Sequence, residues 1–152
     1  MPTVYDVPSE DLIKRTAEYL RENVLDVSPP SWSFLAKSGS HLEHPPQSSD
    51  YWYIHSASIL RKIYVNKFIG IDHLQKEYGG RASRGTVGKH KRSGGGATIR
   101  TIFKQLEKAG LVATVDKKGR KITEKGASIL DNLAGEVLKN LAVVEPELKK
   151  YE

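Results

Sequence analysis

The residues best suited to chemistry lie between Gly79 and Gly96. This stretch holds seven of the chain's 13 glycines. From Arg81 to Arg92 it carries Arg81, Arg84, Lys89, Lys91 and Arg92, together with His90 and no acid. Glycine lets backbone N–H groups come close to a phosphate, and Arg and Lys supply charge. Acid-free basic segments of this density order on RNA as they bind, more often than they serve solubility alone. The segment lacks the apolar surface to fold by itself, so it is expected as a mobile basic loop over residues 79–96. The chemistry is phosphate neutralisation, with counterion release and a strong salt dependence.

Three further groups of bases extend this reading. Gly94-Gly95-Gly96 precedes an amphipathic stretch from Ala97 to Ala109, and free N–H groups at a helix start favour an anion. Arg100 and Lys104 share one face of that stretch, away from the apolar stripe of Ile99, Ile102, Phe103 and Leu106. Arg61 and Lys62 interrupt an otherwise apolar, aromatic-rich segment, where Tyr53 and Tyr64 suit a core better than base stacking. Lys117, Lys118, Arg120 and Lys121 surround a turn at Asp116–Gly119 and could follow a phosphate backbone.

Catalytic readings fail on spacing. Gly80 and Gly85 have the interval of a phosphate-binding P-loop, but Thr86 stands where Lys is required. His41 and His44 have a ligand-like interval, yet Pro45-Pro46 follows and no Cys or nearby carboxylate completes a site. No cofactor, metal site or enzymatic activity is expected.

Charge is distributed to match. Residues 51–125 carry 17 Lys/Arg against 5 Asp/Glu, whereas residues 1–50 carry 4 against 8 and residues 126–152 carry 3 against 5. A net +6 concentrated in the middle of the chain points to a polyanionic partner. The absence of cysteine excludes disulfides and thiol chemistry, and fits a cytoplasmic protein. Met1–Asp6 has neither the basic nor the apolar region of a signal peptide, and no apolar run is long enough to span a membrane.

The elements that must position these bases follow from periodicity. A helix is expected from an N-cap at Asp6 or Ser9 to about residue 25, carrying Leu12, Ile13, Ala17, Leu20 and Val24. A short helix over Ser31–Leu35 and a polar loop to Ser49 follow. A central helix over residues 50–66, one over 71–78 and the helix at 97–109 come next. Leu111–Val115 and Arg120–Ile122 form a hairpin around Asp116–Gly119, and Thr123 caps a last helix. The order of elements is that of a winged helix, with 97–109 in the recognition position and 116–120 as wing. The fold class is therefore mainly α: one winged-helix-like domain over residues 1–145 with extra N-terminal helices, then a frayed tail at 146–152.

Several blocks also resemble a known family. Thr3-Val4-Tyr5-Asp6-Val7, Pro30-Ser31-Trp32, Asp50-Tyr51-Trp52-Tyr53, Ser58–Tyr64, Lys76-Glu77-Tyr78-Gly79-Gly80-Arg81 and Gly119–Thr123 are similar to the archaeal and eukaryotic small-subunit ribosomal protein nineteen of the "e" type. The resemblance runs from about residue 3 to about 140. It implies a winged-helix-like structural protein in the head of the small ribosomal subunit, bound to small-subunit rRNA beside other ribosomal proteins and needed for subunit maturation. It places the functional surface at Arg61, Lys62, Arg81, Arg84 and the bases that follow. At His55 the chain departs from the Arg of eukaryotic members. Lack of Cys and short loops suit an archaeal member. The free protein is expected to be monomeric, cytoplasmic and without membrane contact. The competing reading is a winged-helix regulator of duplex DNA, and a third is a protein-interaction module.

Overall fold

The computed structural model describes residues 2–151. A single turn of 3-10 helix at Val4–Asp6 leads into α1 (Ser9–Asn23), followed by α2 (Tyr51–Asn66), β1 (Phe68–Ile69), α3 (Ile71–Glu77), β2 (Gly80–Arg84), β3 (Val87–Arg92), α4 (Gly96–Lys108), β4 (Val112–Val115), β5 (Gly119–Ile122) and α5 (Glu124–Val144). From α2 to β5 this is a winged helix. Strand β1 pairs antiparallel with β5, which pairs with β4, giving a three-stranded sheet of order β1-β5-β4.

Helix α2 is central for the reason its sequence suggests: Trp52, Ala57, Ile59, Leu60 and Ile63 are fully buried and cover more than one face. Helix α1 lays Leu12, Ala17 and Leu20 against it, and α5 adds Leu130, Leu133, Ala134, Val137 and Leu138. Helix α4 closes the core with Ile99, Ile102, Phe103 and Leu106. Trp52 Nε1 donates to Gln105 Oε1 at 2.7 Å, and Gln105 Nε2 donates to the Ser28 carbonyl at 2.7 Å. One chain of polar contacts, running from buried Trp52 out to the surface, thus joins α2, α4 and the long connection after α1. Thr123 caps α5 as expected, accepting a hydrogen bond from Gly126 N at 3.2 Å.

Five expectations need correction. The N-cap of α1 is Pro8 rather than Asp6 or Ser9. Asp6 instead accepts from Thr3 N and Thr3 Oγ1, at 2.6 and 3.0 Å, and closes the preceding 3-10 turn. Ser31–Leu35 is a run of turns, held by Ser33 N to Pro30 O and by Leu35 N and Ala36 N to Trp32 O. A segment this short cannot meet the cost of helix nucleation, and the Trp32 ring is anchored edge-on to Trp52 at 5.8 Å. Strand β1 is additional to the expected elements, because two residues carry no period. Of residues 146–152, expected as a frayed tail, Pro146–Tyr151 form a 3-10 helix whose Leu148 packs on the core, and residue 152 lies outside the described residues.

The fifth correction concerns the basic loop. Residues 80–92 are a β-hairpin, with Gly80 opposite Arg92, Arg81 opposite Lys91, Ala82 opposite His90 and Arg84 opposite Val87. Gly85 turns the chain at φ +72°, as a two-residue hairpin loop with Gly first requires. The register slips between Ala82 and Arg84, so β3 takes three steps against two on β2. No apolar alternation signals these strands. They form because their root is fixed: Gly94 N donates to Gln75 O at 2.7 Å, and Gly39 bridges Gly94. A Cβ at Gly79 would collide with the Arg92 carbonyl oxygen, so only glycine permits this closure.

Candidate nucleic-acid interface

Hairpin β2–β3 stands clear of the core. Every residue of β3 is exposed, and Val87 beside the turn is 59% exposed. Isolated two-stranded hairpins are marginal in water, and this one also opposes like charges. Arg81 and Lys91 are direct cross-strand partners and so share a face, an arrangement that costs about 0.2–1 kcal/mol in the absence of an anion. His90 and Arg92 lie on the other face, opposite Ala82 and Gly80. Both faces of the ribbon are therefore cationic.

The hairpin's orientation is set at its root by groups the sequence does not connect. Gly95 N donates to Ser38 O at 2.6 Å, and Gln75 Nε2 donates to Gly94 O at 3.3 Å. The His41 ring fills the space beside Gly80, 2.8 Å from where a Cβ there would sit. Behind them His55 lies between two phenol rings, stacked on Tyr51 at 5.7 Å and tilted on Tyr78 at 4.7 Å. Burial holds the His55 imidazole down at about 4 and pushes the Tyr78 phenol up to about 12. His55 is thus a neutral residue, packed against Tyr51 and Tyr78. Residues 38–41 are the part of the site that sequence reasoning missed. Pairing between Gly39 and Gly94, so far apart in the chain, leaves no local trace.

The predicted cations divide into two groups. Lys62 Nζ sits 2.7 Å from Glu77 Oε2 and over the Tyr78 ring at 5.0 Å. The hydrogen bond from Lys62 keeps the Glu77 carboxyl below its usual value, against burial that raises it. Arg120, 25% exposed in its side chain, pairs through Nε with Glu107 Oε1 at 3.0 Å and lies over Phe103. Glu107 also accepts from Thr114 Oγ1 at 2.6 Å. Lys62 and Arg120 therefore brace the fold, and their charge is already offset. Lys118 lies over the Phe68 ring at 5.2 Å. Among the described residues, no acidic side chain pairs with Arg61, Arg81, Arg84, Lys89, Lys91, Arg92, Arg100, Lys104, Lys117, Lys118 or Lys121, nor with His90. Arg61 is half-buried and its Nε has no partner.

Helix α4 brings Arg100 and Lys104 to an exposed face just beyond the hairpin. Arg100 reaches back over the first turn, with Nη1 3.1 Å from the Cβ position of Gly96. The N-terminus of α4 is less open than its three glycines suggest, because Gly94 N and Gly95 N are spent on Gln75 O and Ser38 O. Lys117, at the tip of the β4–β5 wing, adopts φ +63° and is exposed with Lys118 and Lys121. A cleft of about 480 Å³ between Pro2-Thr3 and α5 is lined by Asp131, Asn132, Glu136 and Lys139, and none of the predicted cations reaches it. No helix among the described residues is long and apolar enough to cross a membrane.

A winged helix with an inserted cationic hairpin narrows the family, and comparison with known proteins decides it. The family model of ribosomal protein S19e matches residues 3–140. The chain belongs to the ribosomal protein S19e family. It is 44% identical over 152 residues to the small ribosomal subunit protein eS19 of Aeropyrum pernix, covering 99% of each chain. It is 40% identical over 156 residues to the protein of that name from Haloarcula marismortui, again over 99% of each. The eukaryotic eS19B of Schizosaccharomyces pombe is 34% identical over 138 residues, which cover 91% of this chain and 96% of the relative. S19e proteins are structural components of ribosomes and not enzymes, and the archaeal relatives are the more similar of these three.

Proposed function

We propose that the chain is a structural constituent of the small ribosomal subunit, bound to rRNA in the subunit head beside other ribosomal proteins, and needed for maturation of that subunit in the cytoplasm. The carrying observation is the β2–β3 hairpin. It presents Arg81, Arg84, Lys89, His90, Lys91 and Arg92 with no acidic partner among the described residues, and a bound anion would relieve its like-charged cross-strand pair. Arg100 and Lys104 on α4, Arg61 on α2 and Lys117, Lys118 and Lys121 on the wing extend the cationic surface. These groups fix the register of the protein on its RNA. Lys62 and Arg120 act indirectly, by holding α3 and the wing against the core.

The family's relatives named for the small subunit support the ribosomal setting. The winged-helix core taken alone would also suit a regulator of duplex DNA. The hairpin inserted immediately before α4 argues against that use, since a basic insertion at this point in the chain would be awkward beside a recognition helix in a major groove. Cosedimentation tests the proposal: tagged protein is expected to travel with small subunits at moderate salt and to dissociate from them at high salt. Preferential retention on duplex DNA over small-subunit rRNA would overturn it.

A further inference from the structure

The long connection between α1 and α2 carries a feature the hairpin does not explain. From Val27 to Leu42 it contains no acid, and it includes Lys37 and His41. Within it the turns at Trp32–Ala36 are tied down from one side only. Ser33 is buried at 2% exposure, and Trp32 packs edge-on against the fully buried Trp52. The other side faces outward, with Trp32 36%, Phe34 41% and Leu35 83% exposed. Just beyond, Ser38 O and Gly39 are bonded to the start of α4 and the root of the hairpin. The apolar turn is therefore tied through two following residues to the root of the cationic hairpin.

We infer that the Trp32–Lys37 turn is a second RNA-contact element, which stacks an unpaired nucleobase on Phe34 and the open part of Trp32 while Lys37 meets its phosphate. This rests on the reading of the hairpin as an RNA ribbon. The chemistry follows from size and charge. Even with Leu42, 38% exposed further along the connection, four part-exposed side chains fall well short of the roughly 800 Å² per partner that a stable protein interface covers. A single base is covered by a single ring, and every base offers a π-face. The rigid anchoring of Trp32 on Trp52 lowers the ordering cost of such a contact. Between Asp26 and Glu43 the segment itself adds no negative charge to repel the strand.

The test compares two RNA probes on the full chain: a blunt-ended stem, and the same stem with a single-stranded oligoadenosine overhang. Stacking of one base predicts that the overhang tightens binding by about tenfold. It also predicts that the overhang quenches tryptophan emission in the unsubstituted protein and leaves that of a Trp32→Phe variant unchanged. Phe34→Ala is expected to abolish the overhang's increment and leave binding to the blunt stem unchanged, and Phe34→Tyr to retain it. Phe34 is surface-exposed, so these variants fold. An Arg81→Gln/Lys91→Gln variant weakens both probes alike, and its failure to do so would refute the hairpin reading while the overhang increment is read separately. No overhang increment in the unsubstituted protein, or an increment that survives Phe34→Ala, overturns the inference.

Discussion

Replacing His55 by Phe removes a proton site while keeping a ring between Tyr51 and Tyr78. Burial holds His55 at about 4, against 6.5 when exposed. The group therefore carries no penalty in the folded state well above pH 6.5, where neither state is protonated. As pH falls the unfolded chain takes up the proton first, and stability declines progressively until the folded form also protonates near pH 4. At about 1.4 kcal/mol per pH unit, a gap of this size corresponds to about 3 kcal/mol in total. Of that, about 2 kcal/mol disappears between about pH 7.5 and about pH 5. Urea denaturation at those two values reads the effect, with the slope of ΔG against urea expected to stay unchanged. The Glu77 carboxyl, held low chiefly by its hydrogen bond from Lys62, loses stability in the same direction, so only the difference between the two proteins isolates the imidazole. Unsubstituted protein should lose about 2 kcal/mol more than His55→Phe over this interval. Parallel losses in the two proteins would show that His55 is not desolvated, and the packing assigned to the hairpin root would be wrong.

Other substitutions probe the remaining supports. Lys67, at the end of α2, has φ 67° and ψ −59°, a strained geometry for a side chain, so Lys67→Gly should raise stability by about 1 kcal/mol in thermal or urea unfolding. Gln105→Leu leaves buried Trp52 Nε1 without its acceptor and frees the Ser28 carbonyl, and should cost about 1–3 kcal/mol in the same assay. Arg81→Gln/Lys91→Gln should act in opposite directions on fold and function. The free protein gains up to about 1 kcal/mol from removal of a like-charged pair, while the slope of log affinity for rRNA against log salt falls by about one unit for each phosphate no longer neutralised.

The periodic elements were legible because their cause is local. Helix α4 follows from Ile99, Ile102, Phe103 and Leu106, α5 from its apolar stripe and the Thr123 cap, and the wing from the turn at Asp116–Gly119. The hairpin was legible as chemistry but not as structure. Its bases stand in the sequence, whereas its strands depend on the Gly94–Gln75 and Gly39–Gly94 contacts, which join distant segments. Partition of the cations was hidden for the same reason. Nothing near Lys62 or Arg120 in sequence announces that Glu77 and Glu107 neutralise them. His55 could be noticed as a departure from an expected Arg, but its place between two phenols needed the packing of α2 against Tyr78. Residues 31–35 suggest a helix only while the Trp52 anchor is out of view. That anchor, with the two preceding prolines, folds the segment into turns.

On the proposed function, the β2–β3 hairpin lies on rRNA in the assembled small subunit. A photo-crosslinking side chain placed at Lys89, with a control at Glu10 on α1, tests it in purified subunits, with the crosslinked partner identified and its position mapped. Crosslinks are expected from position 89 to small-subunit rRNA, concentrated at one site and absent from position 10. Crosslinks from position 89 only to protein, or RNA crosslinks from position 10 and none from 89, would contradict it.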